Sequence, residues 1–221
     1  MGAATPKQYL EILNQPVIEH TLARLLEVQG LEKIVIAVSA EDRYWSQLAV
    51  AGHSRVETVL GGEERSDSVY NSLQFLSGVA REDDWVLVHD VARPCVQVND
   101  IERMMEQLQS HGVGGVLAVP VSDTIKRVSG TAIEETVDRS HLWQAQTPQM
   151  FRLGTLRNAI KTARERGMAM TDEASAIELL GLQPEVVEGS GSNIKITRPE
   201  DLALAEFYLS RNLVEEFGRN E

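Results

Sequence analysis

The sequence predicts an α/β fold of three layers, with helices on both faces of a mostly parallel sheet and a β-hairpin arm protruding from it. Three observations predict this. Short apolar, β-branched runs at residues 33–39, 56–60, 85–89 and 114–121 alternate with amphipathic stretches of helical period. Several of those runs are apolar throughout rather than at every second residue, the pattern of strands covered on both faces. The 221 residues, 43% of them hydrophobic, suffice for one sizeable core, and no repeat, low-complexity tract or linker divides them. Residues 1–221 therefore read as a single domain, with residues 122–141 as an arm within it.

Charge and cysteine usage narrow the function classes. A net charge of −12 argues against a general nucleic-acid or membrane-surface binder, so an anionic substrate has to be met by a local cluster of Arg and Lys. The single cysteine, Cys95, excludes an internal disulfide and a cysteine-built metal site. No apolar run is long enough to span a bilayer and the first residues do not form a signal peptide, which makes the cytoplasm the expected location.

The elements follow in order. Residues 1–8 read as loop. Pro16 suits the start, and Gly30 the end, of a helix over residues 17–28, with Ile18, Leu22, Leu25 and Leu26 on one face. Residues 33–39 form an apolar strand, and residues 40–47 a loop or short helix. The strand 56–60 runs into Gly61-Gly62, and a helix follows on Val69, Leu73 and Leu76. Two glycines there allow a ligand close to the backbone, with Ser68 and the helix amides beside it, although such turns are also common without a ligand. The strand 85–89 ends on Asp90. A helix then begins with Asn99 as its cap and Glu102 completing the box, turning Ile101, Met104, Met105 and Leu108 inward.

After the strand 114–121 comes the hairpin 124–128 and 132–137, turning at Ser129-Gly130. It has too few apolar residues for a core of its own, so it docks on something, and a second subunit is the natural candidate. Residues 142–151 return to the body. A helix over 153–166 ends at Gly167, and another starts at Thr171-Asp172-Glu173 with Gly181 past its end. Strands at 184–188 and 193–197 precede a final helix through Leu209, opened by a capping box from Thr197 to Glu200.

Asp90 is the first candidate for chemistry. A carboxylate at the carboxyl end of a parallel strand sits where open α/β sheets bind ligands; it suits a divalent metal or sugar hydroxyls, and Arg93 three residues on offers a phosphate-binding fork. The plainer reading, Asp90 capping a turn and Arg93 on the surface, stands equally on these residues alone.

Seven stretches carry a resemblance when taken together: Pro6-Lys7-Gln8-Tyr9-Leu10, Gly61 through Val69, Val88-His89-Asp90-Val91-Ala92-Arg93-Pro94, Thr136-Val137-Asp138-Arg139, Gln146-Thr147-Pro148-Gln149, Thr171 through Ser175, and Asn193 through Asp201. In this order they resemble the 2-C-methyl-D-erythritol 4-phosphate cytidylyltransferases of isoprenoid precursor synthesis. The ribitol-5-phosphate cytidylyltransferases share much of the set and are the nearest rival. The resemblance implies a Rossmann-like nucleotidyltransferase fold and attack of the acceptor's phosphate on the α-phosphorus of CTP, with pyrophosphate leaving. A phosphate is already an anion near neutral pH and needs no general base. Catalysis then rests on in-line placement and on charge neutralisation by Lys, Arg and Mg²⁺ or another divalent cation.

Carried over residue by residue, the resemblance implies that Lys7 stabilises the transition state at the α-phosphate, although by its own context it is a solvated lysine beside Pro6. Arg139 and Lys195 position the methylerythritol phosphate. Arg139 and Thr124 do so for the neighbouring subunit, because in this family the arm reaches across a homodimer; read alone they are surface residues of a β-arm. Asp90, Arg93 and Thr147 contact substrate, with Asp90 near the metal-bound triphosphate. Gly62, Glu63, Ser68 and Val91 form the cytosine and ribose pocket. His89 reads as a core residue rather than a base, Asp172 and Glu173 as structural, and Cys95 as small and buried.

The chain departs from the family pattern at Glu63, where aspartate is usual, and at Val91, where alanine is usual; each tightens the base pocket. The family also opens with a strand and an Ala-Ala-Gly-x-Gly-x-Arg-Met loop around the triphosphate, whereas Met1-Gly2 stands where that loop ends. The expectation is therefore a truncated sequence that folds poorly and binds CTP weakly, each buried unpaired backbone group beside the missing strand costing about 1–3 kcal/mol. A catalytically silent dimer partner, supplying Arg139 to an intact neighbour, is the remaining alternative.

Overall fold

The computed structural model describes residues 5–218, and the first four residues of the expected N-terminal loop lie outside them. A turn of 3-10 helix at Lys7–Tyr9 leads into two short strands, β1 (Glu11–Ile12) and β2 (Gln15–Pro16), joined by Leu13 and Asn14 in the left-handed region. This miniature hairpin was not expected from the sequence, because two-residue strands leave no periodicity. Helix α1 (Val17–Glu27) starts on Pro16 as predicted and buries Val17, Ile18 and Leu22. Strands β3 (Ile34–Val38) and β4 (Val56–Leu60) pair in parallel, with Ile34 opposite Val56 and Val38 opposite Leu60.

Helix α2 (Arg65–Leu76) begins earlier than its apolar face suggests, because Glu64 and Asp67 form a reciprocal cap around its first turn. Strand β5 (Trp85–Val88) follows, then α3 (Val98–Leu108), whose Ile101, Met104 and Leu108 are fully buried. The predicted Asn99 cap is corrected: Asn99 lies inside the helix, and Gln97 occupies the cap position without a side-chain bond. Strand β6 (Gly114–Pro120) leads to the arm, β7 (Ile125–Ser129) and β8 (Ala132–Val137), and the chain returns through β9 (Trp143–Arg152). Helices α4 (Leu153–Glu165) and α5 (Glu173–Glu178), strand β10 (Glu185–Glu188) and helix α6 (Pro199–Gly218) complete it. Two details at the end differ from expectation. Residues 193–197 form no strand, and Asp201 rather than Glu200 reaches back to cap α6, accepting from the Thr197 and Arg198 amides.

The larger sheet has the order β10-β6-β9-β5. Strand β6 runs parallel to β10, while β9 runs against both β6 and β5, so three of the four strands share a direction. Glycine is required where β6 enters: Gly114 has φ +123°, and a Cβ on it would lie 2.1 Å from the Met150 carbonyl. The main core forms where α4 lays Leu153, Leu156, Ala159 and Ile160 against Val86, Val116 and Phe151 of the sheet. Covering a side chain such as Phe151 is worth roughly 1.5–3 kcal/mol. A second cluster gathers Tyr9, Ile18, Leu22, Ile34 and Trp45 around β3.

Among the described residues β3 pairs only with β4 and β5 only with β9, and the two sheets share no ladder. With one edge unpaired, β3 is fully buried only at Ile34, which corrects the expectation of a strand covered along its whole length. No helix among the described residues is long and apolar enough to cross a membrane.

Candidate active site

The antiparallel pairing of β5 with β9 sets the first two site residues side by side. With Val88 opposite Gln149, the residues after β5 run past Thr147. The Asp90 backbone N–H donates to Thr147 Oγ1 at 3.0 Å, and the same hydroxyl lies 3.0 Å from His89 Nδ1. The Asp90 carboxylate then collects two cations. Arg65 donates from Nε to Oδ1 at 2.8 Å, and Lys195 from Nζ to Oδ2 at 2.7 Å. Arg65 stands at the start of α2, just past the Gly61-Gly62 turn, and spends its other nitrogens on both carboxylate oxygens of Glu173 at 2.6 and 3.1 Å.

The segment around Lys195 is held by single bonds rather than by a ladder, which explains why its strand-like sequence forms no strand. Arg93 donates to the Asn193 carbonyl at 2.6 Å, the Ile196 N–H donates to the Ala92 carbonyl at 2.8 Å, and Lys7 Nζ donates to the Ile196 carbonyl at 3.2 Å. Buried Asn193 donates in turn to the Thr147 carbonyl at 2.8 Å. Three of these cations, Arg65, Arg93 and Lys195, border with Asp90 an open cavity of about 290 Å³, with Gln146, Thr147, Gln149 and Asp172 along its wall.

The electrostatics favour a fixed anion at Asp90. Burial pushes its carboxyl up, but Arg65 and Lys195 outweigh burial and hold it at about 2. Burial pushes the His89 imidazole down to about 4, and its second nitrogen faces the Arg93 carbonyl at 3.2 Å, so it stays neutral. Burial raises Glu173 against the pull of Arg65, whose own guanidinium is raised by the same pair and keeps its charge. Burial pushes the Cys95 thiol up to about 12, in keeping with an inert core residue.

Of the predicted site residues, Asp90, Arg93, Thr147 and Lys195 share the cavity. Lys7 sits one carbonyl away, on the segment that carries Lys195. Gly62 and Ser68 close the turn before α2, where the Gly62 N–H donates to Ser68 Oγ at 3.0 Å. A Cβ on Gly62 would lie 2.1 Å from Asp67 Cβ, so only glycine fits that turn. Glu63 is exposed beside it, and Val91 packs half-buried toward the Tyr9 cluster with its carbonyl accepting from Thr21 at 2.7 Å. Thr124 and Arg139 do not line the cavity: both are exposed on the arm, and the Arg139 guanidinium bonds the Ser122 carbonyl.

The sequence reading gave no role to Arg65, although it lies inside a quoted motif, and none to Gln149, which donates to Asp172 at 2.9 Å. It also read Asp90 as a metal ligand. In the structure both Asp90 oxygens already carry cations, and no group of three or more metal-ligating side chains occurs among the described residues. This donor set does not fit a metal held by the protein itself.

Comparison with known proteins places the chain in a family. A family model described as 2-C-methyl-D-erythritol 4-phosphate cytidylyltransferase matches residues 1–211. The protein of that description from Vibrio vulnificus strain CMCP6 is 52% identical over 212 residues, 96% of this chain and 90% of the relative. A crystal structure titled 4-diphosphocytidyl-2C-methyl-D-erythritol synthase is 39% identical with a TM-score of 0.84, covering 92% of this chain and 94% of its own. The Francisella tularensis 2-C-methyl-D-erythritol 4-phosphate cytidylyltransferase is 38% identical with a TM-score of 0.83, covering 92% and 93%.

Proposed function

The chain belongs to the 2-C-methyl-D-erythritol 4-phosphate cytidylyltransferase family, and from that premise we propose how its cation-lined cavity performs the transfer. The enzyme moves CMP from CTP to 2-C-methyl-D-erythritol 4-phosphate, in the isoprenoid precursor pathway. A phosphate oxygen of the acceptor forms a bond to the α-phosphorus of CTP, the bond from that phosphorus to the β-phosphate oxygen breaks, and pyrophosphate leaves with the electron pair. Lys195 and Arg93 hold the acceptor's phosphate in the cavity, and Lys7 faces the charge that grows on the α-phosphate. The turn at Gly62 and Ser68, with Glu63 and Val91, takes the cytidine.

The observation that carries this reading is the junction at Asp90, gripped by Arg65 and Lys195 in the cavity that Thr147 floors. An aspartate held at about 2 takes up no proton near neutrality, and His89 at about 4 is a poor base. Neither serves as a general base, which suits a nucleophile that is an anion before it arrives. Mg²⁺ or another divalent cation, arriving with the triphosphate, would supply further neutralisation of the charge around phosphorus. The arm joins two copies as a homodimer, so that Thr124 and Arg139 complete the partner's cavity. Two soluble phosphorylated substrates set the place of work as the cytoplasm.

The test offers CTP and Mg²⁺ with either methylerythritol phosphate or ribitol 5-phosphate, following pyrophosphate release and the new diphosphate by phosphorus NMR. Faster turnover of the methylerythritol substrate is expected. Preference for ribitol phosphate, or release of pyrophosphate without a sugar product, overturns the reading.

A further inference from the structure

Glu173 is out of place as a mere surface acid. Its side chain is 2% exposed, yet its partner Arg65 is 39% exposed and comes from a helix 108 residues earlier. Taking a carboxylate out of water is unfavourable unless it is fully paired, and an apolar residue of equal volume commonly serves stability as well or better. The charge is therefore explained by what it orients. Every donor direction of the Arg65 guanidinium used here is fixed: Nη1 and Nη2 on Glu173 and Nε on Asp90. With Arg65 confined to Asp90 Oδ1, Oδ2 is left to Lys195 at 2.7 Å.

We propose that Glu173 is a positioning residue: by pinning the Arg65 fork it reserves one Asp90 oxygen for Lys195 and so fixes where the acceptor's phosphate is gripped. This rests on the reading above that the cavity receives that phosphate. Without Glu173 the fork is free to turn onto Asp90 with two parallel bonds, the geometry that guanidinium and carboxylate favour, and Lys195 loses its anchor. Glutamine breaks the clamp without changing its volume, since its amide nitrogen brings a donor against an Arg65 donor.

The experiment compares the intact chain with Glu173→Gln, Glu173→Asp, Arg65→Lys and the double variant Glu173→Gln/Arg65→Lys. Glu173→Gln is expected to raise KM for methylerythritol phosphate about tenfold while KM for CTP moves less than about twofold. Glu173→Asp is expected to recover part of that loss, and the double variant to be no worse than Arg65→Lys alone, as for residues acting through one contact. Equal changes in both KM values, additive losses, or a lowered melting temperature with both KM values unchanged overturn the proposal. A readout independent of turnover is the nitrogen–proton NMR signal of the Arg65 side chain. It is expected to be protected from exchange in the intact chain and to lose that protection in Glu173→Gln. Persistent protection overturns the proposal even if no cytidylyl transfer is seen, whereas lost protection without any transfer supports the clamp and sinks only the assigned reaction.

Discussion

The cavity and the arm treat their cations in opposite ways. In the cavity, Arg65, Arg93 and Lys195 each have partners brought from other elements, and the carboxylates they meet are 12% exposed at Asp90 and 2% exposed at Glu173. On the arm, Arg139 is exposed and its bond goes to the nearby Ser122 carbonyl, while Val128 and Ile133 turn more than half of their surface to solvent. A mutually paired set of charges, built on carboxylates largely withdrawn from solvent, holds its own positions. An exposed two-stranded arm is placed by whatever it lies against. On the proposed reading, one reaction draws on charges held in place within one protomer and on a group of the arm whose position a second copy supplies.

The sharpest way to break this comparison is to remove one charge from each region. Lys195→Ala is expected to lower kcat/KM by about 10²–10³, the usual loss for a preorganised charge-stabilising donor. Arg139→Ala is expected to lose comparably, but with a different remedy. Equimolar mixing of Arg139→Ala with Lys7→Ala chains is expected to recover about a quarter of full activity, since half of randomly paired dimers then hold one intact site. No recovery on mixing would place both groups in the site of one protomer.

Stability separates the regions next. Ile160→Ala, in the core beneath α4, is expected to cost about 2–5 kcal/mol in chemical denaturation. Ile133→Ala on the arm is expected to stay within about 0.5 kcal/mol for the isolated protomer while weakening self-association in sedimentation. A large loss of protomer stability from Ile133→Ala would show that the arm packs on its own body.

A further expected effect is an acid one. Because Asp90 is held at about 2, below its unfolded value near 4, its contribution is fully present above about pH 4 and disappears as pH falls through about 2. That contribution is about 2 kcal/mol. Denaturation curves of the intact chain and of Asp90→Asn are expected to converge across that window, and parallel curves would show that the two cations do not hold the carboxylate as described.

Elements with one clean period were legible in the sequence. Leu153, Leu156, Ala159 and Ile160 announce α4, and the run at β4 gives its bounds directly. Strand β9 was read only as chain returning to the body, because Gln146, Thr147 and Gln149 interrupt its apolar pattern. The structure buries all three and satisfies them sideways, on Ser190, His89, Asp172 and the Ala174 amide. In the site, Asp90 was legible as a carboxylate at a strand end. The clamp of Arg65 by Glu173 was not, since no local pattern marks a pair 108 residues apart and an acid in a first turn already looks explained by the helix dipole.

Strand β9 also couples the two regions. It leaves the arm at Trp143, pairs Gln144 and Ala145 with Val119 and Ala118, carries Thr147 past the Asp90 amide, and ends in the core with Phe151 opposite Val86. Thr147 lies where the β6–β9 register shifts, between the pairs Val116–Gln149 and Ala118–Ala145, so the hydroxyl that receives the Asp90 amide sits at the one irregularity in the strand joining the base of the arm to the core.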